Sequence, residues 1–183
     1  MFLRFNSIAR LDPKFYENYL YGGQYLSIVK DDILGAEIIL QKGINYFDND
    51  YYLNFQLGYV YAFEKGDFLK SKIYYEKIKN SPLRTKFFDS FYSRILNESV
   101  GPEQALYFSQ ESLLRAEKNS ILYQKLKKNI TSLQIEIDLN CLNNSNSNLC
   151  NKTDPYGNLY FKINGVFHCK SKYEKLKIYK IKK

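Results

Sequence analysis

The sequence predicts a mainly α-helical protein, built from roughly three antiparallel helix pairs in a solenoid, a capping helix and a small C-terminal β-hairpin. Two stretches of the chain match each other with a shift of 35 residues. A later stretch carries one apolar stripe at helical spacing, and Asn164-Gly165 separates two short apolar runs. A period of this size is typical of stacked units that cannot bury their apolar faces alone.

Small residues occupy equivalent positions in the two matching stretches. Gly23 matches Gly58, and Ala36 matches Ser71. Small side chains allow two antiparallel helices to approach closely, so each match predicts one helix pair. Asp67 stands directly after a glycine, where a helix N-cap belongs. The sequence therefore predicts two helix–turn–helix units that end near residue 82, before a proline-marked exit.

These residues resemble the tetratricopeptide repeats. The residues that carry the resemblance are Leu57, Gly58, Tyr61, Gly66-Asp67-Phe68, Ser71, Tyr75 and Pro82. Both units have one extra residue before the turn, and a third, degenerate unit is expected around Ala105, in a helix from about Gly101 to Lys118. The resemblance covers roughly residues 15 to 118 and implies a non-enzymatic module for protein–protein interaction.

Two further segments resemble a group of bacterial repeat proteins. They are the entry Leu11-Asp12-Pro13 with Tyr19 to Gly23, and the closing Asp154-Pro155-Tyr156-Gly157. Members of that group commonly continue upstream to a membrane-anchoring helix, whereas the apolar runs of residues 1–10 are too short for a spanning segment or a signal peptide. The resemblance implies an adaptor or a subunit of a bacterial assembly. Such a protein is cytoplasmic, or membrane-associated if a partner or a further segment anchors it.

The C-terminal part predicts different elements. We expect a helical repeat domain with its capping helix over residues 1–142, an Asn-rich linker over 143–153, and a turn, hairpin and Lys-rich tail over 154–183. The capping helix is predicted by an apolar stripe: Leu122, Leu126, Ile130, Leu133 and Ile137. Asp154-Pro155-Tyr156-Gly157 suits a type I turn, and Asn164-Gly165 suits the type I′ turn of a two-residue hairpin.

Composition and charge limit the function classes. The chain has 183 residues, is 45% hydrophobic and 17% aromatic, and has a formal net charge of +8. The last fourteen residues hold seven Lys and one Glu, a net of +6, which leaves +2 for the rest. This tail could contact anionic lipid, an acidic protein or, less favoured, nucleic acid, through Lys170, Lys172, Lys175, Lys177, Lys180, Lys182 and Lys183. The alternative is a solvated terminus or a last strand with outward lysines.

The resemblance also implies where a partner binds. In tetratricopeptide repeats the first helices of the pairs line the concave groove. The matching residues are Glu17, Leu20, Gln24, Ser27, Ile28, Tyr52, Phe55, Tyr59, Ala62 and Phe63. We expect a peptide partner to contact chiefly the aromatic ones, and Tyr52 and Tyr59 above all because they keep a polar tip. The alternative is that Phe55 and Phe63 pack against the third unit or the capping helix.

Neither metal nor catalysis is predicted. The three cysteines and the single histidine lack zinc-ligand spacing, and no glycine-rich phosphate loop or positioned nucleophile occurs, so we expect no cofactor. Reduced cysteines are the favoured expectation. In an exported protein a Cys150–Cys169 disulfide would leave Cys141 as a free thiol.

Overall fold

The chain is mainly α-helical, with a two-stranded antiparallel sheet near the C-terminus, as the sequence predicts. The structure is a computed structural model and describes residues 1–85, 87–144 and 149–170. Its elements are α1 (Phe2–Leu11), α2 (Tyr16–Gln24) with a π-helical turn (Tyr25–Val29), α3 (Ile33–Tyr46), α4 (Tyr51–Tyr59) with a π-helical turn (Val60–Glu64), α5 (Phe68–Ile78), α6 (Phe88–Val100), α7 (Pro102–Arg115), α8 (Ile121–Asn144), β1 (Phe161–Ile163) and β2 (Val166–His168). Two compact units are formed, Met1–Val100 and Gly101–Lys183.

In the first unit, α3 and α5 each begin at an aspartate. Asp32 and Asp67 accept a hydrogen bond from the backbone N–H three residues later, at 2.9 and 3.0 Å, so the predicted N-cap at Asp67 is confirmed. The residues just before them, Asp31 and Gly66, both have positive φ, 53° and 67°. The two turns therefore use the same backbone geometry 35 residues apart.

Glycines set the distance between the helices of each pair. A Cβ at Gly23 would lie 2.4 Å from Leu40 Cγ, and one at Gly58 would lie 2.3 Å from Tyr75 Cε2. Both distances are far below the roughly 3.5–4.0 Å of a carbon–carbon contact. Ser71 Oγ also donates a hydrogen bond of 2.7 Å to Gly58 O. The predicted role of these small residues is confirmed.

Each of the two matching units has a π-helical turn at the end of its first helix. Lys30 N donates to Tyr25 O at 3.2 Å, and Lys65 N donates to Val60 O at 3.1 Å. Each bond spans five residues instead of the four of an α-helix, which is how a π-turn absorbs one inserted residue.

Helix α1 extends the pattern in the N-terminal direction, which the sequence patterns do not predict. It ends 35 residues before α3 ends, and α2 begins 35 residues before α4 begins. It contacts both α2 and α3, and its Phe2 and Phe5 pack against the hydrophobic core of the unit. Asn18 Nδ2 donates to Phe5 O at 3.1 Å. By its position in the chain, α1 therefore corresponds to α3 and α5, which are the second helices of their pairs.

Helix α6 completes the first unit. It covers most of residues 86–96, where the first helix of the third unit is expected. Helix α5 ends at Ile78, shortly before Pro82. The ring of the fully buried Tyr75 lies 5.6 Å from that of Phe88 and 6.2 Å from that of Tyr92, between ring centroids. These aromatic contacts hold α6 against α5.

In the second unit, α8 packs along α7 and against β2. Leu126 and Leu133 of the predicted apolar stripe are buried. The turn at Asp154 is as predicted, because Gly157 N donates to Asp154 O at 2.9 Å. The hairpin is also as predicted: Asn164 and Gly165 form its turn with φ of 49° and 85°.

An asparagine joins α8 to the hairpin. Asn143 Oδ1 accepts a hydrogen bond of 2.8 Å from Phe167 N, and Asn143 Nδ2 donates one of 3.3 Å to Phe167 O. The register places Phe167 opposite Lys162. The side-chain amide thus pairs with β2 as the backbone of another strand would.

The cysteine pairing differs from the expectation. A disulfide joins Cys141 to Cys150, with Cα atoms 5.7 Å apart, instead of joining Cys150 to Cys169. The chain returns to the end of α8 within nine residues, which brings Cys150 to Cys141. Cys169 is buried outside the disulfide, and its Sγ lies 3.5 Å from Asp154 Oδ2. The expectation of reduced cysteines is therefore wrong for Cys141 and Cys150, and so is the expectation of a free thiol at Cys141.

A buried carboxylate, that of Asp138, lies on α8 three residues before the disulfide-bonded Cys141. Asp138 on α8 accepts hydrogen bonds from Tyr160 Oη at 2.9 Å, Asn151 Nδ2 at 2.9 Å and Gln134 Nε2 at 3.1 Å. Burial raises the pKa of Tyr160, and the hydrogen bond to Asp138 raises it further. The three donors satisfy a carboxylate that burial would otherwise penalise.

Candidate partner-binding surface

Aromatic side chains form a row along one face of α4 and its π-turn. Tyr52, Phe55, Tyr59 and Phe63 follow one another at intervals of three and four residues, which places them on one side of a helix. Tyr52 is 49% exposed, and the other three are half-buried. Asp50, two residues before Tyr52, begins the helix by accepting a hydrogen bond of 2.8 Å from the backbone N–H of Leu53.

Helix α6 borders this row with two side chains. The ring of Phe91 lies 6.2 Å from that of Phe55 and 5.8 Å from that of Phe63. The Arg94 guanidinium lies over the ring of Phe63, 5.3 Å from its centroid. Phe55 and Phe63 therefore pack against α6, and they contribute to the core as well as to the surface. The ring of Tyr59 lies 4.9 Å from that of Phe63, tilted by 42°, and keeps the row continuous.

The predicted residues of the first pair are more mixed. Glu17 and Ile28 are exposed, and Gln24 is half-buried. Three residues expected to face the groove are instead buried: Leu20, Ser27 and Ala62. Ser27 Oγ donates hydrogen bonds to two carbonyls of its own helix, at 3.1 and 3.2 Å. These three side chains fill space within the helix pairs and do not line the surface.

A buried tyrosine supports the aromatic row from below. The ring of Tyr75 lies 5.4 Å from that of Phe55, and its side chain is completely buried. Among the described residues its hydroxyl has no hydrogen-bond partner. Burial raises the pKa of Tyr75, and the hydroxyls of Tyr51 and Tyr59 raise it further. The layer beneath the surface is therefore uncharged and close-packed at neutral pH.

Sequence reasoning missed Phe91 and Arg94. Gly23 and Gly58 mark the first helices of the two matching units, but no glycine lies in residues 86–96. The usable signal is the spacing of Phe88, Phe91, Tyr92 and Ile95, which predicts one apolar face of a helix. Three of them are buried and Phe91 is half-buried, so this face is the one that packs.

The predicted basic tail lies mostly outside the described residues. Lys170 is described and exposed. Six lysines of the prediction lie beyond it: Lys172, Lys175, Lys177, Lys180, Lys182 and Lys183. In the described part of the chain, no helix has both the length and the apolar character needed to cross a membrane. The same residues contain no group of three or more His, Cys, Asp or Glu side chains that could hold a metal ion.

Comparison with known proteins gives no relative for this chain. Scanning with models of protein families and searching curated proteins and solved structures return no match. The functional argument therefore depends on the surfaces of the molecule itself.

Proposed function

We propose that this chain is a non-enzymatic interaction module, an adaptor or assembly subunit, that binds another protein through the surface formed by α2, α4 and α6. The observation that carries the proposal is the aromatic row of Tyr52, Phe55, Tyr59 and Phe63, which is only partly covered. Tyrosine and phenylalanine offer a large contact area at low cost in rotamer entropy. A peptide segment with apolar anchors is the kind of partner that such a row accommodates.

We also propose that the helix pairs belong to the tetratricopeptide superfamily. The repeated contacts of Gly23 with Leu40 and of Gly58 with Tyr75 support this relationship, as do the N-caps at Asp32 and Asp67. The π-turns account for the one residue by which each unit exceeds the usual period.

The test replaces the two tyrosines that carry the polar tips. Partners are first captured from an extract of the native host and identified by mass spectrometry, and their affinity for the purified chain is then measured by calorimetry. The Tyr52→Ala/Tyr59→Ala variant is expected to lose at least about tenfold in affinity, since aromatic hot-spot residues cost more than 1 kcal/mol each when truncated.

The matched control is Tyr107→Ala/Tyr156→Ala, which removes two exposed tyrosines of the second unit. This variant should bind the partner with unchanged affinity. Circular dichroism must show equal helix content in both variants. Equal affinity of the two variants, with folding intact, would refute the surface proposal.

A tether through the basic tail is the second candidate, favoured by the +6 net charge of residues 170–183. Electrostatic attachment to anionic lipid or nucleic acid weakens steeply with salt. Removal of residues 171–183 should abolish such binding and leave the melting of the helices unchanged. Binding that persists without the tail would exclude this candidate.

A further inference from the structure

Exposed aliphatic side chains recur at equivalent positions of α1, α3 and α5. Leu3 on α1, Ile38 on α3 and Ile73 on α5 are 35 residues apart, and they are 73%, 44% and 56% exposed. One turn earlier, Leu34 and Leu69 are 68% and 64% exposed. We call these five residues the aliphatic ridge. They lie on α1, α3 and α5, whereas the proposed peptide-binding surface lies on α2, α4 and α6.

The ridge residues of each helix form one row, so the ridge has three rows. Hydrogen bonds between the helices show that these rows are neighbours. Lys42 Nζ donates to Asn6 Oδ1, which joins α3 to α1 one turn beyond Leu3 and Ile38. Tyr74 Oη donates to Gln41 Oε1 at 3.0 Å, which joins α5 to α3 beside Ile73 and Ile38. Successive rows are therefore held side by side by equivalent portions of the helices.

Internal packing does not require these positions to be aliphatic. The buried positions of the same helices are filled by other residues, among them Ala36 and Leu40 on α3, and Ser71 and Tyr75 on α5. A single exposed leucine is ordinary in a soluble protein. Five large aliphatic side chains at repeat-equivalent, adjacent positions form a patch, and such patches mark contact sites.

We propose that the aliphatic ridge binds a second copy of this chain in a two-fold symmetric dimer. The three rows follow one another at one repeat interval. A two-fold axis parallel to the helices, passing over the middle row, therefore brings Leu3 of each copy onto Ile73 of the other and Ile38 onto its own counterpart. Such self-complementarity is what an isologous interface requires.

Charge fits the same arrangement. Arg4 is exposed beside Leu3, and the described residues provide no acidic group in an ion pair with it. Glu76 lies three residues after Ile73 at the opposite end of the ridge. Its carboxylate forms an ion pair of 3.2 Å with Lys72, accepts a hydrogen bond of 3.5 Å from Tyr92 Oη, and its side chain is still 44% exposed. The symmetric arrangement places Arg4 of one copy within reach of Glu76 of the other.

The ridge predicts a weak dimer. Five partly exposed side chains cover less than the roughly 800 Å² per partner of a stable complex. We expect dissociation constants of about 10–100 µM, and therefore a monomer in dilute solution.

The test is sedimentation velocity with the full chain from about 1 to 500 µM, a range that brackets the expected constant. Ile38→Asp places two like charges at the two-fold axis and should raise the dissociation constant at least about tenfold. Ile121→Asp is the matched control, because it introduces the same charge at an exposed isoleucine that belongs neither to the ridge nor to the proposed peptide-binding surface. It should leave the dissociation constant unchanged.

A charge reversal gives a second, independent readout. Arg4→Glu should weaken the dimer, and Arg4→Glu combined with Glu76→Lys should restore it. A wild-type chain that stays monomeric throughout the range would overturn the proposal. So would an Ile38→Asp variant that dimerises like the wild type, or a dimer that Ile121→Asp disrupts equally. Because the ridge residues are absent from the peptide-binding surface, failure here leaves that surface untouched.

Discussion

Replacement of Gly58 by alanine should destabilise the first unit, although alanine is the better helix former. The added Cβ would lie 2.3 Å from Cε2 and 2.5 Å from Cδ2 of Tyr75. Carbon atoms in contact are separated by roughly 3.5–4.0 Å, so the ring or the helix must move by about 1.2 Å or more. Tyr75 has little room for that movement, because Phe55, Phe88 and Tyr92 surround its ring.

The expected loss follows from two opposing effects. Overpacking in a close-packed core costs about 1–3 kcal/mol. Alanine is favoured over glycine by up to about 1 kcal/mol inside a helix. We therefore expect Gly58→Ala to lower the free energy of unfolding by about 1–2 kcal/mol.

The assay is urea unfolding followed by far-ultraviolet circular dichroism. The same substitution is then made in a Tyr75→Ala background, where the obstructing ring is absent. There Gly58→Ala should be neutral, or stabilising by up to about 1 kcal/mol, so the sign of its effect changes. A Gly58→Ala variant as stable as the wild type, with an unchanged denaturant slope, would refute this explanation of the glycine. An equal loss in both backgrounds would do so too.

Three other changes test single interactions. Glu37→Gln should lower the free energy of unfolding by about 1 kcal/mol at neutral pH. Burial alone would raise the pKa of Glu37, but hydrogen bonds from Lys65 and Tyr61 hold that pKa below its ordinary value. This stabilisation is present above the unfolded-state pKa and is lost as pH falls through the lower folded-state pKa, so chemical unfolding of variant and wild type should converge in acid. Removal of the disulfide by Cys141→Ala/Cys150→Ala should lower stability by about 2–3 kcal/mol, and a reducing agent should then affect only the wild type. Tyr160→Phe should cost about 1–3 kcal/mol in thermal melts, because Asp138 stays buried with one donor fewer; a cost below 0.5 kcal/mol, about the effect of a neutral surface change, would contradict that role.

The features that the sequence predicts well are the local ones. Asp67 as an N-cap, the Asn164-Gly165 turn and the turn at Asp154 depend on residues within a few positions of each other, so their side chains are sufficient evidence. The self-match of 35 residues adds the close approach of two helices at Gly23 and at Gly58, because equivalent helices must bury equivalent faces.

The features that the sequence does not predict depend on distant contacts. Helix α1 has no side-chain cap at its N-terminus, and its Phe2 and Phe5 acquire their role only by packing against α2 and α3. The disulfide depends on the return of the chain from Cys150 to α8, and connectivity among three cysteines is not deducible from spacing. The 35-residue period is countable in the sequence, whereas the π-turn at the end of each first helix is a property of the folded helix.

The candidate surface shows the same division. The spacing of Tyr52, Phe55 and Tyr59 predicts their common face from α4 alone. Phe91 and Arg94 join that face only because α6 packs against α5, which the sequence does not reveal without a marking glycine. Burial of Leu20 and Ser27 likewise reflects how closely α2 approaches its neighbours.

The amide of Asn143 has a consequence for how the hairpin behaves among other proteins. Each strand of a two-stranded sheet has an unpaired edge to which a strand of another chain can add, and such additions lead to aggregation. By bonding both backbone groups of Phe167, Asn143 occupies the border of β2. A slip of one residue between α8 and β2 would break both bonds at once, so the amide also fixes the alignment of the strand. Asn143, the first residue of the Asn-rich segment, thus blocks the edge of β2 against pairing with another strand.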